Sequence, residues 1–557
     1  MRIAIVGGGP GGLFLATLVK ASDPAAEVTV FERNRADDTF GFGVVFSDAT
    51  LAGIHAADPV VRDALTEYGV HWDAIEVRLK GERFRCGGMG MAAIARKTLL
   101  AVLQERARTV GVTLRFQTEV ELEDLTDFDL VVAADGANSR IRERLAAVLE
   151  PMVETAAAKF IWFGTTYHFD GLTFVHERSA DGVFAVHGYP IGPDVSTFIV
   201  ETDRESWLRA GLDEFDVSQP PGTSDLKTKQ YLEKLFAEQI EGHPLLVNNS
   251  RWASFRTRRT GRWSHGNVVL LGDAVHTAHF SVGSGTKMAM EDAVALAAAL
   301  AAHDDVPAAL AAYEESARPS VEKIQGSARP SLSWWEHFGR YHDTLEPWQF
   351  AFHFLTRSIS GGKLARRDPA FVAATRTSWH AQNGPAPLDT PFRSGGFSAP
   401  GRLVEVDFPH SPTSADPVSP PSGMGAVAAD GVVGEWGRSA LTLFSEPPDR
   451  VRDWGLWLEA PASEQDLPSA LGSLHSGVLA GPAVVAVYGG SRLTRTLLAE
   501  EARLVAGVPA MVVDDELTPD DAETLLLSGR ADLVGRTSGS PDRHPLAGVS
   551  RSVGGSV

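Results

Sequence analysis

The chain has 557 residues, 44% of them hydrophobic, with 51 basic against 71 acidic side chains and a net charge of −20. That length predicts more than one domain and a large core. The charge argues against nucleic acid as a partner, and an anionic ligand would need a local basic patch. Cys86 is the only cysteine, so an intrachain disulfide and a cysteine-based zinc site are excluded. No uncharged apolar run approaches a membrane span, and an apolar strand already opens at residue 2, leaving no room for a signal peptide. The expectation is a cytoplasmic protein with no membrane partner. Its histidines lack metal-ligand spacing, and no metal is expected.

Arg2-Ile3-Ala4-Ile5-Val6 reads as a buried strand. Gly7, Gly9 and Gly12 then fit G-x-G-x-x-G, an apolar helix follows, and a second strand, Glu27 to Phe31, delivers Glu32. This is the layout of a dinucleotide-binding βαβ unit. Gly7 makes the tight turn, Gly9 admits the pyrophosphate, and Gly12 lets helix and strand pack closely. The helix N-terminus offers free N–H groups to phosphate. Glu32, 20 positions past Gly12, can accept from ribose hydroxyls. Which dinucleotide binds is left open by this stretch. Arg33 follows Glu32 directly, and Phe40 to Ser47 reads as a ligand-facing loop.

Residues 92–108 predict a helix with Arg96 on its inward edge, able to reach a pyrophosphate bidentately. A buried strand ends at Asp135-Gly136. From about 158 to 202 short alternating strands predict an antiparallel sheet with a turn at Asp181-Gly182. Residues 249–262 hold five arginines in an acidic chain, among them Arg256, Arg258 and Arg259. They read as a landing strip for an anionic substrate tail, with a solvated basic strand as the plain alternative. A further buried strand ends in Gly272-Asp273-Ala274. It runs through His276, His279, Phe280, Gly283, Gly285 and Thr286 into a helix, a second Gly-rich loop at a helix N-terminus.

Together these residues resemble the FAD-dependent aromatic hydroxylases, the p-hydroxybenzoate hydroxylase-like flavoprotein monooxygenases. The N-terminal glycines with Glu32 resemble the ADP site, and Asp135-Gly136 the family's Asp-Gly motif. Gly272-Asp273 with Gly283, Gly285 and Asp292 resembles the motif that holds the flavin ribityl chain and ring. Phe280 and Lys287 depart from the usual Pro and Asn. Phe280-Ser281-Val282-Gly283-Ser284-Gly285-Thr286-Lys287 is instead similar to the members that hydroxylate aromatic CoA thioesters. The resemblance implies a Rossmann-like α/β FAD-binding domain (1–157 and 251–330), an inserted antiparallel substrate sheet (158–250) and a helical extension (331–384). Residues 385–557 resemble an old-yellow-enzyme-like barrel. A (β/α)₈ barrel needs roughly 200 residues at least and only 173 remain, so this tail reads as a shortened relic, an incomplete TIM barrel without FMN.

The implied chemistry is NAD(P)H-driven monooxygenation through a flavin C4a-hydroperoxide, with NADH or NADPH and O₂ as co-substrates and FAD as cofactor. The implied substrate is an aromatic acyl-CoA, foremost a 2-hydroxybenzoyl (salicylyl) thioester hydroxylated at C5. A 2-aminobenzoyl thioester, a free aromatic acid and a non-catalytic flavin protein stay open. The cofactor set is Gly7, Gly9, Gly12, Glu32, Arg33, Arg96, Asp135, Asp273, Gly283, Gly285 and Thr286. His187, His279 and Phe280 are the candidate catalytic residues: His187, in the substrate sheet, is suited to orient or deprotonate a ring hydroxyl, and His279 sits beside the flavin loop. Arg256, Arg258 and Arg259 are the candidate CoA contacts. The oligomeric state is open.

Overall fold

The computed structural model describes the chain apart from residues 40, 217, 221, 284, 410–435, 439–440, 449–450 and 539–557. The chain divides into two compact units, Met1–Gly339 and Arg340–Val557. The division falls inside one helix, Val306–Thr344, which runs through both Pro319 and Pro330. The expected boundary at 330 therefore lies inside this helix, with no break there.

The first unit starts from the predicted βαβ. Arg2–Val6 pairs in parallel with Glu27–Phe31 on one side and Leu130–Ala133 on the other. The sheet continues to Val268–Leu270 and Ser264–His265 at one edge and to Thr113–Arg115 at the other. Its central strands, Arg2–Val6, Leu130–Ala133 and Val268–Leu270, are buried apolar runs, as expected of parallel strands covered on their faces. The helix Pro10–Ser22 starts with Pro at N1, where its missing N–H costs nothing. Two glycines are demanded by contact. A Cβ on Gly7 (φ +115°) would lie 2.2 Å from the Ala134 oxygen, and one on Gly12 would lie 2.3 Å from the Gly7 oxygen.

The helix expected over 92–108 begins later. Met91–Ala95 is a strand paired with Gly43–Ser47, and the helix is Arg96–Thr109. The alanines of this stretch carry no strong helical periodicity, and pairing with Val44, Val45 and Phe46 decides the matter. The Arg96 N–H is donated to the Phe42 oxygen at the junction.

The second sheet of this unit runs Leu245–Leu246, Pro151–Thr165, Ser196–Thr202, Val183–Pro190, Leu172–Arg178, Ile75–Leu79, Glu82–Cys86, with Ala253–Thr260 against the first half of Pro151–Thr165. It is antiparallel as expected except where Leu172–Arg178 meets Ile75–Leu79 in parallel. Strands from before 158 and after 250 complete it, so 158–250 is not self-contained. The turn at Asp181-Gly182 forms, closed by the Ser179 N–H on the Gly182 oxygen. Alternation sorts the two faces. Ile161, Phe163, Phe184, Val186, Phe198 and Val200 pack into one core. Phe160, Trp162, His187, Tyr189, Ile199 and Glu201 share the opposite face by register.

The second unit holds helices Pro347–Leu355, Gly361–Arg367 and Pro369–Asn383, then a hairpin, Phe392–Ser394 with Phe397–Ala399. Seven strands follow, and all their pairings are parallel. The order is Gly437–Arg438, Leu403–Val406, Leu533–Thr537, Ala510–Val513, Val484–Tyr488, Trp454–Glu459, Thr442–Phe444. The first strand in the chain thus sits beside the last, as in a barrel. Among the described residues no ladder joins Gly437–Arg438 to Thr442–Phe444. Among the described residues, helices follow three of these strands: Leu467–Val478, Arg492–Glu500 and Pro519–Leu527. Of the Pro- and Ser-rich stretch 409–423, residues 410–423 lie outside the described residues. Val404, Val406, Leu443, Trp457, Met511 and Val513 belong to one packed cluster, as barrel interiors do.

Candidate active site

The N-terminal βαβ opens onto a cavity of about 190 Å³ lined by Gly8, Gly9, Glu32, Asn34, Arg35, Arg96, Gln104 and Phe116, among others. The three motif glycines differ here. Gly7 and Gly12 are enclosed by backbone, whereas a Cβ on Gly9 would meet nothing within 4 Å. Gly9 is the one that faces open space, where a pyrophosphate would approach. Glu32 accepts from Gly8 N–H, Asn34 N–H and Asn34 Nδ2, each at 2.8 Å. A carboxylate has about four acceptor sites, so it is oriented by backbone and keeps capacity for a hydroxyl. Arg33 is exposed and does not line the cavity. Arg35, two positions on in the loop after the strand, lines the cavity in its place.

Asp135 ends the central strand. One carboxylate oxygen accepts from Arg140 N–H at 2.9 Å, while Oδ1 is buried without a protein partner. Burial raises its carboxyl from the usual range, against the hydrogen bond from Ser139. An orphaned acceptor at this point fits a hydroxyl-bearing ligand. Asp273 has an exposed surface of its own but lies in a deep recess. The protein around it raises its carboxyl, with His276, Arg96 and Arg258 pulling the other way. Arg96 thus stands between the nucleotide cavity and Asp273. Asp292, 2% exposed, holds the turn behind Asp273: its Oδ2 accepts from Gly272 N–H at 2.9 Å and pairs with His276 Nε2 at 2.8 Å. His276 is therefore tied into the loop's own framework. Gly283, at φ +62°, ends the turn Phe280–Val282. Gly285 and Thr286 open the helix Gly285–Ala302, and a Cβ on Gly285 would also meet open space. The Gly9 gap, the Asp135 oxygen, the Asp273 recess and this helix start fit an extended dinucleotide.

The arginine strand divides. Arg258 is 7% exposed, its Nη2 3.4 Å from Asn138 Oδ1. Burial lowers its proton affinity, helped by Arg142 and Arg256. Its backbone carries the loop after Asp273: Arg258 N–H donates to Thr277 Oγ1, and Gln325 Nε2 donates to both the Arg258 and Thr277 oxygens. Arg258 therefore faces the flavin loop, and the expected tail contact is not where it points. Arg259 pairs with Glu154 at 3.0 Å on the surface. Arg256 is exposed.

His187 and His279 are brought together, through a residue the sequence reading missed. Glu201, 1% exposed, lies between them. His187 Nε2 is 2.7 Å from Oε2, off the line of a good hydrogen bond, and His279 Nε2 is 3.2 Å from Oε1. Burial works to raise the Glu201 carboxyl, but His279 and His187 outweigh it and hold it below its ordinary range. Both imidazoles are buried behind Phe280, whose ring packs 5.0 Å from Phe160, 5.9 Å from Trp162 and 4.4 Å from His279. Phe255 and Trp335 complete an aromatic enclosure. Neither imidazole opens directly on solvent. The signal that could have found Glu201 was a lone acid in an apolar strand, Phe198-Ile199-Val200-Glu201.

The geometry is that of a flavin site: a βαβ nucleotide cradle, an Asp-Gly strand end and a Gly-Asp loop closing onto aromatics. In agreement, the FAD binding domain family model matches residues 126–328. A salicyloyl-CoA 5-hydroxylase from a Streptomyces species is 58% identical over 543 residues, 96% of this chain and 100% of that protein. A 3-hydroxy-4-methyl-anthranilyl-[aryl-carrier protein] 5-monooxygenase from Streptosporangium sibiricum is 38% identical, covering 66% of this chain and 97% of its own. Among solved structures, 2-methyl-3-hydroxypyridine-5-carboxylic acid oxygenase aligns with TM-score 0.48 and 20% identity, over 60% of this chain and 92% of its own. The chain belongs to the FAD-dependent aromatic monooxygenases. FAD is its cofactor, with NADH or NADPH and O₂ the co-substrates of the class. Among the described residues no helix is long and apolar enough to cross a membrane, and no group of side chains could hold a metal ion.

Proposed function

We propose that this enzyme hydroxylates a 2-hydroxybenzoyl-CoA (salicyloyl-CoA) at C5, giving the 2,5-dihydroxy (gentisyl) thioester. The observation that carries the reading is 58% identity to a relative of that activity along the whole of that relative's length, tail included. The substrate's electronics agree. Its hydroxyl directs an electrophile to C3 and C5, the thioester favours the same carbons, and C5 is the less crowded.

FAD, when bound, supplies the oxygen transfer. The chain's own part is placement. Gly9, Glu32, Arg96, Asp135, Asp273, Gly283, Gly285 and Thr286 would hold the cofactor. Phe160, Trp162, Phe255 and Phe280 wall the arene and exclude water. Arg256, exposed and without an ion pair among the described residues, is the arginine of the three suited to a CoA phosphate. A cytoplasmic setting fits the single cysteine. The tail is read as the shortened old-yellow-enzyme-like relic without FMN. Two of its cations are engaged, Arg495 by Asp514 and Arg536 by Glu405.

A 2-aminobenzoyl thioester is the second reading, favoured by the anthranilyl substrate named for the 38%-identical relative. Parallel NAD(P)H-oxidation assays with salicyloyl-CoA, 2-aminobenzoyl-CoA and free salicylate decide among them. The salicyloyl thioester should have the highest kcat/KM, and preference for free salicylate would overturn the proposal.

A further inference from the structure

A carboxylate as deep as Glu201 costs several kcal/mol unless it is paired, and here each oxygen faces an imidazole. The imidazoles come from different places. His187 lies on the substrate sheet, and His279 precedes the turn that closes the flavin loop. The tautomer of His279 follows from its other nitrogen. Ser281 N–H donates to His279 Nδ1 at 3.4 Å, so Nδ1 is an acceptor and the ring proton sits on Nε2, toward Glu201. Ser281 Oγ lies 2.7 Å from the same Nδ1 and 2.7 Å from Ser331 Oγ. With Nδ1 an acceptor, the Ser281 hydroxyl donates to it. The sequence of groups is carboxylate, imidazole, hydroxyl, an arrangement that moves a proton at its outer end. Glu201 and His279 are 1% and 2% exposed. Ser281 is half-buried and directly follows Phe280, whose ring belongs to the aromatic enclosure. The charged groups around His279 are Glu201 and, across it, His187. The long helix packed here contributes Ser331 and Trp335, both neutral.

We propose that Glu201, His279 and Ser281 form a proton relay in which Ser281 Oγ is the catalytic group that takes the proton of the arene's ring hydroxyl and Glu201 is the positioning residue that fixes the tautomer of His279. This rests on the salicyloyl-CoA reading above. The arene O–H bond breaks, and its proton goes to Ser281 Oγ as the serine's own proton goes to His279 Nδ1. The imidazolium is balanced by Glu201, and nothing is oxidised or reduced in the step. The ring left behind is a phenolate, the more electron-rich partner for oxygen transfer. The proton returns along the same path when the product hydroxyl is re-formed.

The test uses the full FAD-loaded chain as wild type, Glu201→Gln and Ser281→Ala. Salicyloyl-CoA is first bound without NAD(P)H, and the phenolate absorption of the bound ligand is followed from pH 6 to 9. The wild type should show the phenolate band at a pH where the free thioester is protonated, and both variants should lose it. In turnover, kcat at pH 7 should fall about 10²-fold with KM and FAD content within about twofold, and the alkaline rise of kcat should move up by about one pH unit or more. A merely structural clasp would instead lower FAD retention and leave the phenolate band in place. If Glu201→Gln does not fold, Ser281→Ala decides alone. An unchanged phenolate band and pH profile in a folded, flavin-loaded variant would overturn the relay. A wild type that forms no hydroxylated product from salicyloyl-CoA would instead overturn the substrate reading.

Discussion

Replacing Asp292 by alanine should damage both the fold and the flavin site of the first unit, although the side chain touches no ligand. Its Oδ2 serves two donors at once, the Gly272 N–H at 2.9 Å and His276 Nε2 at 2.8 Å, in a place 2% exposed. Alanine leaves both donors in a dry interior, at about 1–3 kcal/mol each. Together with the lost charge this is about 3–5 kcal/mol, the usual cost of breaking a buried pair. The turn cannot relax inward, because a Cβ at Gly272 would already lie 2.9 Å from Ala289 Cβ. It relaxes outward and carries Asp273 with it. Losing one charge-assisted contact of Asp273 weakens FAD by about 1.5–3 kcal/mol, roughly ten- to more than a hundredfold. Asparagine keeps an acceptor and should lose about half as much stability. The assay is urea unfolding followed by FAD fluorescence, which reports the first unit by itself and avoids treating two units as one transition. An Asp292→Ala protein with the parent's urea midpoint and FAD affinity would refute the reasoning.

The arginines should separate in kinetics. Arg256→Ala should raise KM for the thioester about two- to fivefold at low salt with kcat unchanged, as expected for an exposed contact worth up to about 1 kcal/mol; Arg259→Ala should be nearly silent, and Arg258→Ala should weaken FAD instead, all read from steady-state kinetics and flavin titration. Purified protein should release one FAD per chain and no FMN on cofactor extraction, and stoichiometric FMN would overturn the reading of the tail as a relic. Acid should loosen the second unit. There His353 is pushed down to about 4 by burial and Arg530, against the pull of Glu500, and it donates to Glu500 as a neutral imidazole at 3.1 Å. A group held neutral in this way stabilises fully above its unfolded value of about 6.5. On the order of 3 kcal/mol is then lost as pH falls from there toward 4, visible as an earlier melt of that unit in calorimetry and removed by His353→Gln.

The nucleotide half was legible because its chemistry is local. Strand, glycine turn, helix and acid occupy adjacent positions in the chain. The loop after Gly272 was legible for the same reason. What stayed hidden depends on register between distant strands. Glu201 looks like any strand residue until Phe160 pairs with it and His279 arrives from the flavin loop. Arg256, Arg258 and Thr260 share strand parity, yet Arg256 is exposed and Arg258 is buried. Alternation gave the face and could not give the layer above it. Met91–Ala95 is apolar enough for either helix or strand, and its partner Gly43–Ser47 chose. In the second unit Arg340, Tyr341, His353, Glu500 and Arg530 converge on one buried carboxylate from separate elements. Burial works to raise Glu500, but His353, Arg340 and Arg530 outweigh it and hold the carboxyl well below its usual range. No spacing announces such a cluster.

The most direct measurement of the central claim is product analysis from salicyloyl-CoA, NAD(P)H and ¹⁸O₂, by mass spectrometry and proton NMR of the released thioester. The account predicts 2,5-dihydroxybenzoyl-CoA carrying one ¹⁸O on the ring, formed in step with NAD(P)H consumption. NAD(P)H oxidation that yields only hydrogen peroxide, with the thioester recovered unchanged, would contradict it.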